Sequence, residues 1–500
     1  MIQHILQRYN LVLIPIAWFV FFSLFFLTTY PIPWPDEAHL GDPANRLVAN
    51  NSLSSSLLLG QDKHVFWVPP GYFFPLGLFF ALFGYGFEQH RIFSIIFGAG
   101  IIFLTYSLTL KLVGQKRAAF LASLLIVCDP FFLRYAKIGR MESLAVFLIL
   151  FSFFFFLKFE SDKSLRNLVA SGVIVACAGL VHPFSSLIVL ASLIGMYIWA
   201  KGSLSVNTII VASASFLAPY GIWILYGLSD WESFVVQIGW QWNRMQDKGI
   251  VEHVGKFFYS YRYIPVLLFT YVSGLFVVIS GKIKVEDTRL KYLAVCGMIF
   301  LLVAIRTAEP QHMLYCLPFL AIAASAWLFS LNTSRIQTRV LGNIIVILFV
   351  VNGMLHAGYF SWKYGIEQGN ETSHKRLSHE VASNLIGATT IILDGYQELS
   401  WEIRHSMPQL RIIEPPFFTN TYMKEALTLA DHIVMPRGFR VDDDELEIDT
   451  KVHNYQSHLF AVGRRAYKIA EVGVRSDWSF SVRIYKIVNH PEFTSDQNSW

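Results

Sequence analysis

The sequence predicts a polytopic α-helical membrane protein with a small C-terminal α/β domain. Three observations lead there. Of 500 residues, 54% are hydrophobic and 15% charged, so most of the chain belongs in lipid. Twelve apolar runs approach the width of a bilayer core. After about Ser361 the composition turns polar, and short β-rich runs alternate with helical patterns.

The apolar runs fall near 11–30, 71–87, 91–113, 117–133, 143–158, 167–181, 184–200, 205–228, 263–281, 292–306, 311–331 and 340–361. The first follows Arg8, is long enough to span, and lacks a small-x-small cleavage site, so it reads as a retained helix rather than a signal peptide. If all twelve crossed, the basic connections would not alternate correctly. The run 71–87 is short and carries Pro75 and four glycines. Treating it as re-entrant or interfacial leaves about 11 spans and puts Lys111/Lys116/Arg117, Lys158/Lys163/Arg166, Lys201, Lys282/Lys284/Arg289/Lys291 and Arg335/Arg339 on one side. By the positive-inside rule that side is cytoplasmic, with the N-terminus inside and the C-terminus outside. The outer face then holds 31–70, Arg134–Glu142, His182-Pro183, 229–262, Arg306–His312 and everything after 362.

A net charge of +5, dispersed between spans, excludes a nucleic-acid footprint. Cys128, Cys177, Cys296 and Cys316 all lie in apolar runs, which excludes a disulfide framework or a zinc-finger spacing.

Charge is nonetheless concentrated in two outer loops. WPDEAHLGDPANR (Trp34–Arg46) follows the first span. Pro33 and Pro35 stop one helix and favour the start of another, and Leu40, Ala44, Leu47 and Val48 recur at helical spacing around Asp42, Asn45 and Arg46. An interfacial amphipathic helix is expected, its polar side facing a cleft. LRYAKIGRMESL (Leu133–Leu144) brings Arg134, Lys137, Arg140 and Glu142 to the same face. Ionisable groups at membrane depth cost about 2.5–3.5 kcal/mol on insertion scales, so those retained near span ends pair, bind a ligand or reach water.

These motifs resemble the GT-C membrane glycosyltransferases, in the polyprenyl-phosphate-sugar-dependent branch that holds protein O-mannosyltransferases and lipid A aminoarabinose transferases. The resemblance rests on the acidic pair Asp36-Glu37, the paired proline in WVPPGYFFPLG (Trp67–Gly77), the arginine opening RIFSIIFGAG (Arg91–Gly100), and Arg140-x-Glu142. It covers residues 1–365 in layout, a transmembrane catalytic domain, and leaves 366–500 as an extracytoplasmic α/β domain. It implies a GT-C fold in which Asp36 is the catalytic base, with Glu37 beside it, and Glu142 assists through acceptor or metal contact. Aminoarabinose-branch relatives have lysine directly before the paired proline; here Val68 stands there, with Lys63 and His64 upstream. Lys63, His64, Trp67 and Tyr72 are assigned to the substrate cleft.

The implied chemistry suits these residue types. A sugar joined through phosphate to a polyprenol has an activated leaving group, so a carboxylate must take the acceptor hydroxyl proton and cations must steady the departing phosphate. The candidates for phosphate are Arg306 and His312 in RTAEPQH, then Arg140 and Lys137. Direct displacement by the acceptor inverts the anomeric centre. Bland readings stand beside these: a helix N-terminus for Asp36-Glu37, an ion pair with Arg140 or Lys137 for Glu142, snorkelling for Arg306 and His312, and a cap or turn for His182. An aromatic belt accounts for Trp231, Trp240 and Trp242.

No cofactor is certain. A divalent metal is possible from Asp36, Glu142, His39 or His253, but no close-spaced ligand motif fixes one. The acidic run Asp442–Asp449 lacks EF-hand spacing and reads as a solvated loop. In the tail, strands are expected at 389–395, 410–417, 431–438 and 480–488, and helices near 373–386, 396–406 and 421–430; no Gly-x-Gly-x-x-Gly follows a strand. The functional expectation is an inverting transferase of the bacterial inner membrane. It moves a sugar from a polyprenyl-phosphate donor to a lipid, glycan or protein acceptor on the outer or luminal face, among membrane lipids. The alternative is a multispan transporter or flippase, for which no internal repeat is visible.

Overall fold

In the computed structural model of the chain, the described residues are 9–25, 27–28, 31, 35–57, 61–182, 189–195, 205–244, 265–281, 289–307, 310–332, 336–362, 374–393, 403, 407, 409–413, 426–436, 464–473 and 481–489. They fall into two compact units. The first comprises 1–27, 66–75 and 91–361, the second 28–65, 76–90 and 362–500.

Helices follow the apolar runs closely: α1 (Leu13–Phe25), α2 (Pro35–Asn50), α3 (Phe73–Phe83), α4 (Phe87–Val113), α5 (Lys116–Val127), α6 (Pro130–Tyr135), α7 (Met141–Asp162), α8 (Leu165–Val181), α9 (Val206–Gly227), α10 (Trp231–Arg244), α11 (Pro265–Ile279), α12 (Arg289–Thr307), α13 (Met313–Asn332), α14 (Ile336–Trp362) and α15 (His374–Asn384). Among the described residues five helices are long and apolar enough to cross a membrane: those beginning at Phe87, Met141, Val206, Met313 and Ile336. The chain is a multi-pass membrane protein. With 11 residues, α3 is about 16 Å long and cannot cross a hydrocarbon layer of about 30 Å, in keeping with its reading as re-entrant or interfacial.

Two expected elements differ. The run 117–133 is not one helix: α5 stops at Val127, and Asp129 starts α6 by accepting the N–H groups of Phe131 and Phe132, with Pro130 in the first turn. The segment expected as an outer loop after 229 is helical over Trp231–Arg244, and its buried Gln237 accepts the N–H groups of Phe66 and Trp67. His253, the run 442–449 and most of 184–200 lie outside the described residues.

In the first unit α13 is central. Its apolar window is 78% buried, against 11% for the helix from Val206 and 17% for α14, which are apolar and largely uncovered by the described residues. It packs against α5, α7, α11 and α12. Among the described glycines the tightest approach is at Gly353 of α14, where any Cβ would overlap the carbonyl of Cys128. All four cysteines are free.

The ends of these helices sort by charge. Arg289 at the start of α12 donates to Glu160 near the end of α7 at 3.2 Å, and Lys111 lies within electrostatic reach of Arg289, Glu160, Asp162 and Lys158. Lys111, Lys158 and Arg289, from three of the basic connections predicted to share a side, thus meet at one end of the bundle, while Lys201, Lys282, Lys284 and Arg335 lie outside the described residues. Since α7 is 22 residues, about 33 Å, its other end sits a bilayer core away.

In the second unit the tail forms a five-stranded mixed sheet in the order β2-β1-β3-β5-β4, with β1 Thr390–Leu393, β2 Arg411–Ile413, β3 His432–Pro436, β4 Arg464–Gly473 and β5 Ser481–Asn489. β1 pairs in parallel with β2 and β3, while β5 pairs antiparallel with β3 and β4. Ile392, Ile413, Ile433, Met435, Tyr485 and Ile487 form its core with Ala426, Leu427 and Ala430. Four strands match the sequence reading; β4 does not appear in it. Arg411 of β2 lies 3.8 Å from Asp62, so the first loop and the sheet share a side.

Asp431 pins the parallel half. Its carboxylate accepts the Thr389 N–H (2.8 Å), the Thr389 hydroxyl (2.6 Å) and the Thr390 N–H (3.0 Å). Partial burial would raise its pKa, but these bonds outweigh that and hold it below the ordinary aspartate value. A depressed carboxylate stabilises the fold above the unfolded pKa of about 3.9, and that contribution fades as pH falls through the lower folded value. Asp431→Ala should cost about 1–2 kcal/mol after allowance for its partial exposure. Hydrogen exchange at 390–393 in the whole protein, faster at pH 7 in the variant than in the parent, is the check; equal rates would remove the pinning role.

Candidate active site

At the end of the bundle opposite the basic cluster, three helix termini converge. Glu142 lies in the first turn of α7, His182 caps the C-terminus of α8, and His312 ends the 3₁₀ turn Pro310–His312 that feeds α13. One ligand atom from each lies within 4.8 Å of the others. The His182 and His312 rings are 5.5 Å apart, and Tyr315 of α13 lies 5.4 Å from His182 and 6.1 Å from His312. The Tyr315 hydroxyl is buried and, among the described residues, has no hydrogen-bond partner.

Glu142 is 1% exposed and is held by Arg140, the N-cap residue of α7. The guanidinium forks onto the carboxylate, Nε at 3.2 and 3.1 Å and Nη2 at 2.9 Å. The ion-pair reading of Glu142 is therefore realised, but only part of the carboxylate's capacity is used, since an ionised carboxylate offers about four lone-pair sites. Burial, with His312 close by, pushes the His182 pKa down to about 3, so its ring is neutral near pH 7. His182 is also the cap that the sequence suggested.

What places His182 is the paired-proline segment. The Gly71 N–H donates to the Leu180 carbonyl at 3.1 Å, and a Cβ at Gly71 would come within 2.7 Å of the Leu180 backbone. Only glycine lets this segment lie flat on the end of α8, two residues from the imidazole.

The other expected residues are distributed as follows. Lys137 is 2% exposed, and burial together with the nearby Arg91 holds its pKa well below the ordinary lysine value. Arg91 is fully buried and donates to the Leu27 carbonyl at 2.8 Å. Arg306 is exposed in the last turn of α12, just before the turn that carries His312. Tyr72 is fully buried, edge-on to Phe73 and Phe93, and Trp67 is half-buried.

Asp36, Glu37, Lys63 and His64 belong to the second unit. There α2 spans Pro35–Asn50, the helix expected from the sequence. Asp36 keeps 32% of its side chain exposed, with His39 Nδ1 3.9 Å away, whereas Glu37 is fully buried. Lys63 is exposed and His64 half-buried. Asp42 does not face a cleft: it is 3% exposed and accepts the Ser55 hydroxyl (3.1 Å), the Ser56 N–H (2.7 Å) and the Ser56 hydroxyl (2.8 Å), which folds the following loop onto α2.

Of the four residues considered for a metal, Glu142 is in the three-ligand cluster, but its partners are His182 and His312; His39 sits instead beside Asp36. The sequence reading favoured a cap or turn for His182, because the three positions are remote in sequence and no spacing links them.

Residues 67–225 match the family model described as dolichyl-phosphate-mannose-protein mannosyltransferase. ArnT from Cupriavidus metallidurans bound to undecaprenyl phosphate has a similar structure: TM-score 0.55 at 14% identity, covering 96% of this chain and 98% of that one. Its apo state gives a TM-score of 0.56 at 14% identity, with the same 96% and 98% coverage. No curated protein sequence matches the chain. The chain thus shares the fold of that ArnT structure, in agreement with the GT-C resemblance carried by the sequence motifs.

Proposed function

We propose that this protein transfers a sugar from a polyprenyl-phosphate donor to an acceptor hydroxyl at the non-cytoplasmic membrane face, by direct displacement with inversion. The observation that carries this reading is the constellation of buried Arg140, Glu142 and His182 with half-buried His312, at the end of the spans remote from the basic connections, within a GT-C fold. The basic end is cytoplasmic by the positive-inside rule, which puts the constellation outside, in a membrane of the bacterial inner type; the same rule applied to the sequence assigns the C-terminal domain to the outside as well. The solved relative's ligand, undecaprenyl phosphate, is the same chemical class as the proposed donor's lipid.

Asp36 is the proposed general base. It is the accessible member of the acidic pair, and a carboxylate accepts the acceptor proton as the new bond forms. Glu37, buried beside it, supports the helix start. Arg306 and Arg140 supply positive charge for the departing phosphate, with Arg140 also orienting Glu142, while Lys137, its charge disfavoured by burial, contributes as a hydrogen-bond donor.

Glu142, His182 and His312 fit a divalent cation. One carboxylate and two imidazoles match a His₂Glu zinc set, the imidazole of His182 is neutral as a ligand must be, and the buried Tyr315 hydroxyl lacks a partner among the described residues. Such an ion, when bound, stabilises charge on phosphate oxygens. His182 and His312 can donate to the donor phosphate beside Arg140, and the burial of Glu142 and His182 limits water there.

The test is release of polyprenyl phosphate from a radiolabelled polyprenyl-phosphate sugar by the purified full chain in lipid discs, with hexosyl and pentosyl donors compared. Donor-dependent sugar transfer is expected. Consumption of nucleotide sugars alone would overturn the donor assignment, and translocation of intact donor without cleavage would make the chain a flippase.

A further inference from the structure

The basic end of the bundle carries a cleft of about 760 Å³ that the transfer reaction does not use, within the range of about 300–1,000 Å³ typical of small-molecule sites. It is lined by Gly114, Gln115, Lys116, Arg117 and Leu121 at the α4–α5 junction, Phe329 of α13, and Arg339 and Asn343 of α14. Among the described residues the lining has three cations, two amides and no carboxylate. We propose that this cleft binds the phosphate head group of an anionic glycerophospholipid from the bilayer.

The arrangement follows from helical spacing. Arg117 and Leu121 are one turn apart on α5, as are Arg339 and Asn343 on α14, so each pair shares a face. Gly114, at φ +75, allows the sharp reversal that brings Lys116 and Arg117 to the end of the bundle. Planar guanidinium groups from two different helices can grip phosphate oxygens bidentately, and the amides of Gln115 and Asn343 add donors.

The apolar surroundings select a lipid over a free anion. Leu121 and Phe329 give the cleft a greasy wall, which a hydrated phosphate would not favour. Beyond Arg339, Val340, Ile344 and Ile347 of α14 are 53%, 47% and 60% exposed, and the helix is largely unburied. Acyl chains can lie along that surface while the head group occupies the cleft. Basic pockets between spans at the cytoplasmic surface are where anionic lipids are held.

Native mass spectrometry of the full chain, titrated with phosphatidylglycerol, phosphatidylethanolamine or inorganic phosphate, tests the site. Phosphatidylglycerol should bind the parent most tightly. Arg117→Gln with Arg339→Gln should weaken it about 25-fold, the loss expected for two basic contacts near an anionic head group. The lysine double variant at the same positions should retain most binding, which separates lost charge from lost folding. Lys158→Gln with Arg166→Gln, at the same end but outside the cleft, should bind like the parent. Equal binding of phosphatidylethanolamine, an unaffected Gln double variant, or the same loss from the Lys158/Arg166 pair would overturn the proposal. So would displacement of phosphatidylglycerol by millimolar inorganic phosphate, which would make the cleft a free-phosphate site.

Discussion

Asp36→Asn should lower sugar transfer by roughly 10²–10⁴-fold, the range that a positioned general base contributes, while the protein inserts and folds normally. The structure separates this residue from its neighbour. Asp36 retains 32% side-chain exposure in the first turn of α2, so a substrate hydroxyl can reach it, whereas Glu37 is fully buried and cannot be approached. Asparagine keeps the shape and the hydrogen-bonding oxygen but cannot take a proton. If the pair served only the helix terminus, the substitution would cost about 0.3–1 kcal/mol of stability and leave turnover alone. Single-turnover release of polyprenyl phosphate distinguishes the two: undiminished release in the variant, at normal expression, sinks the base assignment. Glu37→Gln should do the reverse, shifting the melting temperature more than the chemical step.

The helices were legible because lipid demands long, nearly uninterrupted apolar runs. Breaks were harder to read. Cys128-Asp129-Pro130 sits inside an apolar stretch, yet Asp129 caps α6 and Pro130 cannot continue α5. That Asp-Pro signal was available and was outweighed by hydropathy. The helix Trp231–Arg244 alternates aromatic and polar residues, a pattern that fits a belt in a loop as well as a helix face, and only its Gln237 contact with 66–67 decides. Strand β4 carries Arg464, Arg465, Lys468 and Glu471, too polar to read as a strand without its antiparallel partner. At the site, Glu142, Arg140 and His312 were visible as charge at outer span ends. Their grouping with His182 was not, because three helix ends contribute one residue each and no sequence interval records that. Asp42 was read as a cleft residue from its helical face alone; the serines that bury it follow in the next loop.

His312→Ala should strip a divalent cation from the purified protein and reduce transfer by at least about 10²-fold, since losing a direct ligand exceeds the 10–100-fold typical of supporting partners. Elemental analysis after dialysis gives the first readout and donor turnover the second. His312 is the cleaner probe than Glu142. Removing the Glu142 carboxylate strands the Arg140 guanidinium, whose side chain is only 10% exposed, and breaking such a buried pair costs about 3–5 kcal/mol. A dead Glu142→Ala protein could therefore simply be unfolded. Glu142→Gln keeps an acceptor for Arg140 and should retain a near-parental melting temperature while losing the cation. Arg140→Gln should lower cation affinity only 10–100-fold, because Arg140 orients the carboxylate without being a ligand. If the parent binds no divalent ion under any of these conditions, or if His312→Ala retains it, then His182 and His312 serve the donor phosphate through hydrogen bonds alone, Glu142 acts only through Arg140, and the Tyr315 hydroxyl requires another partner.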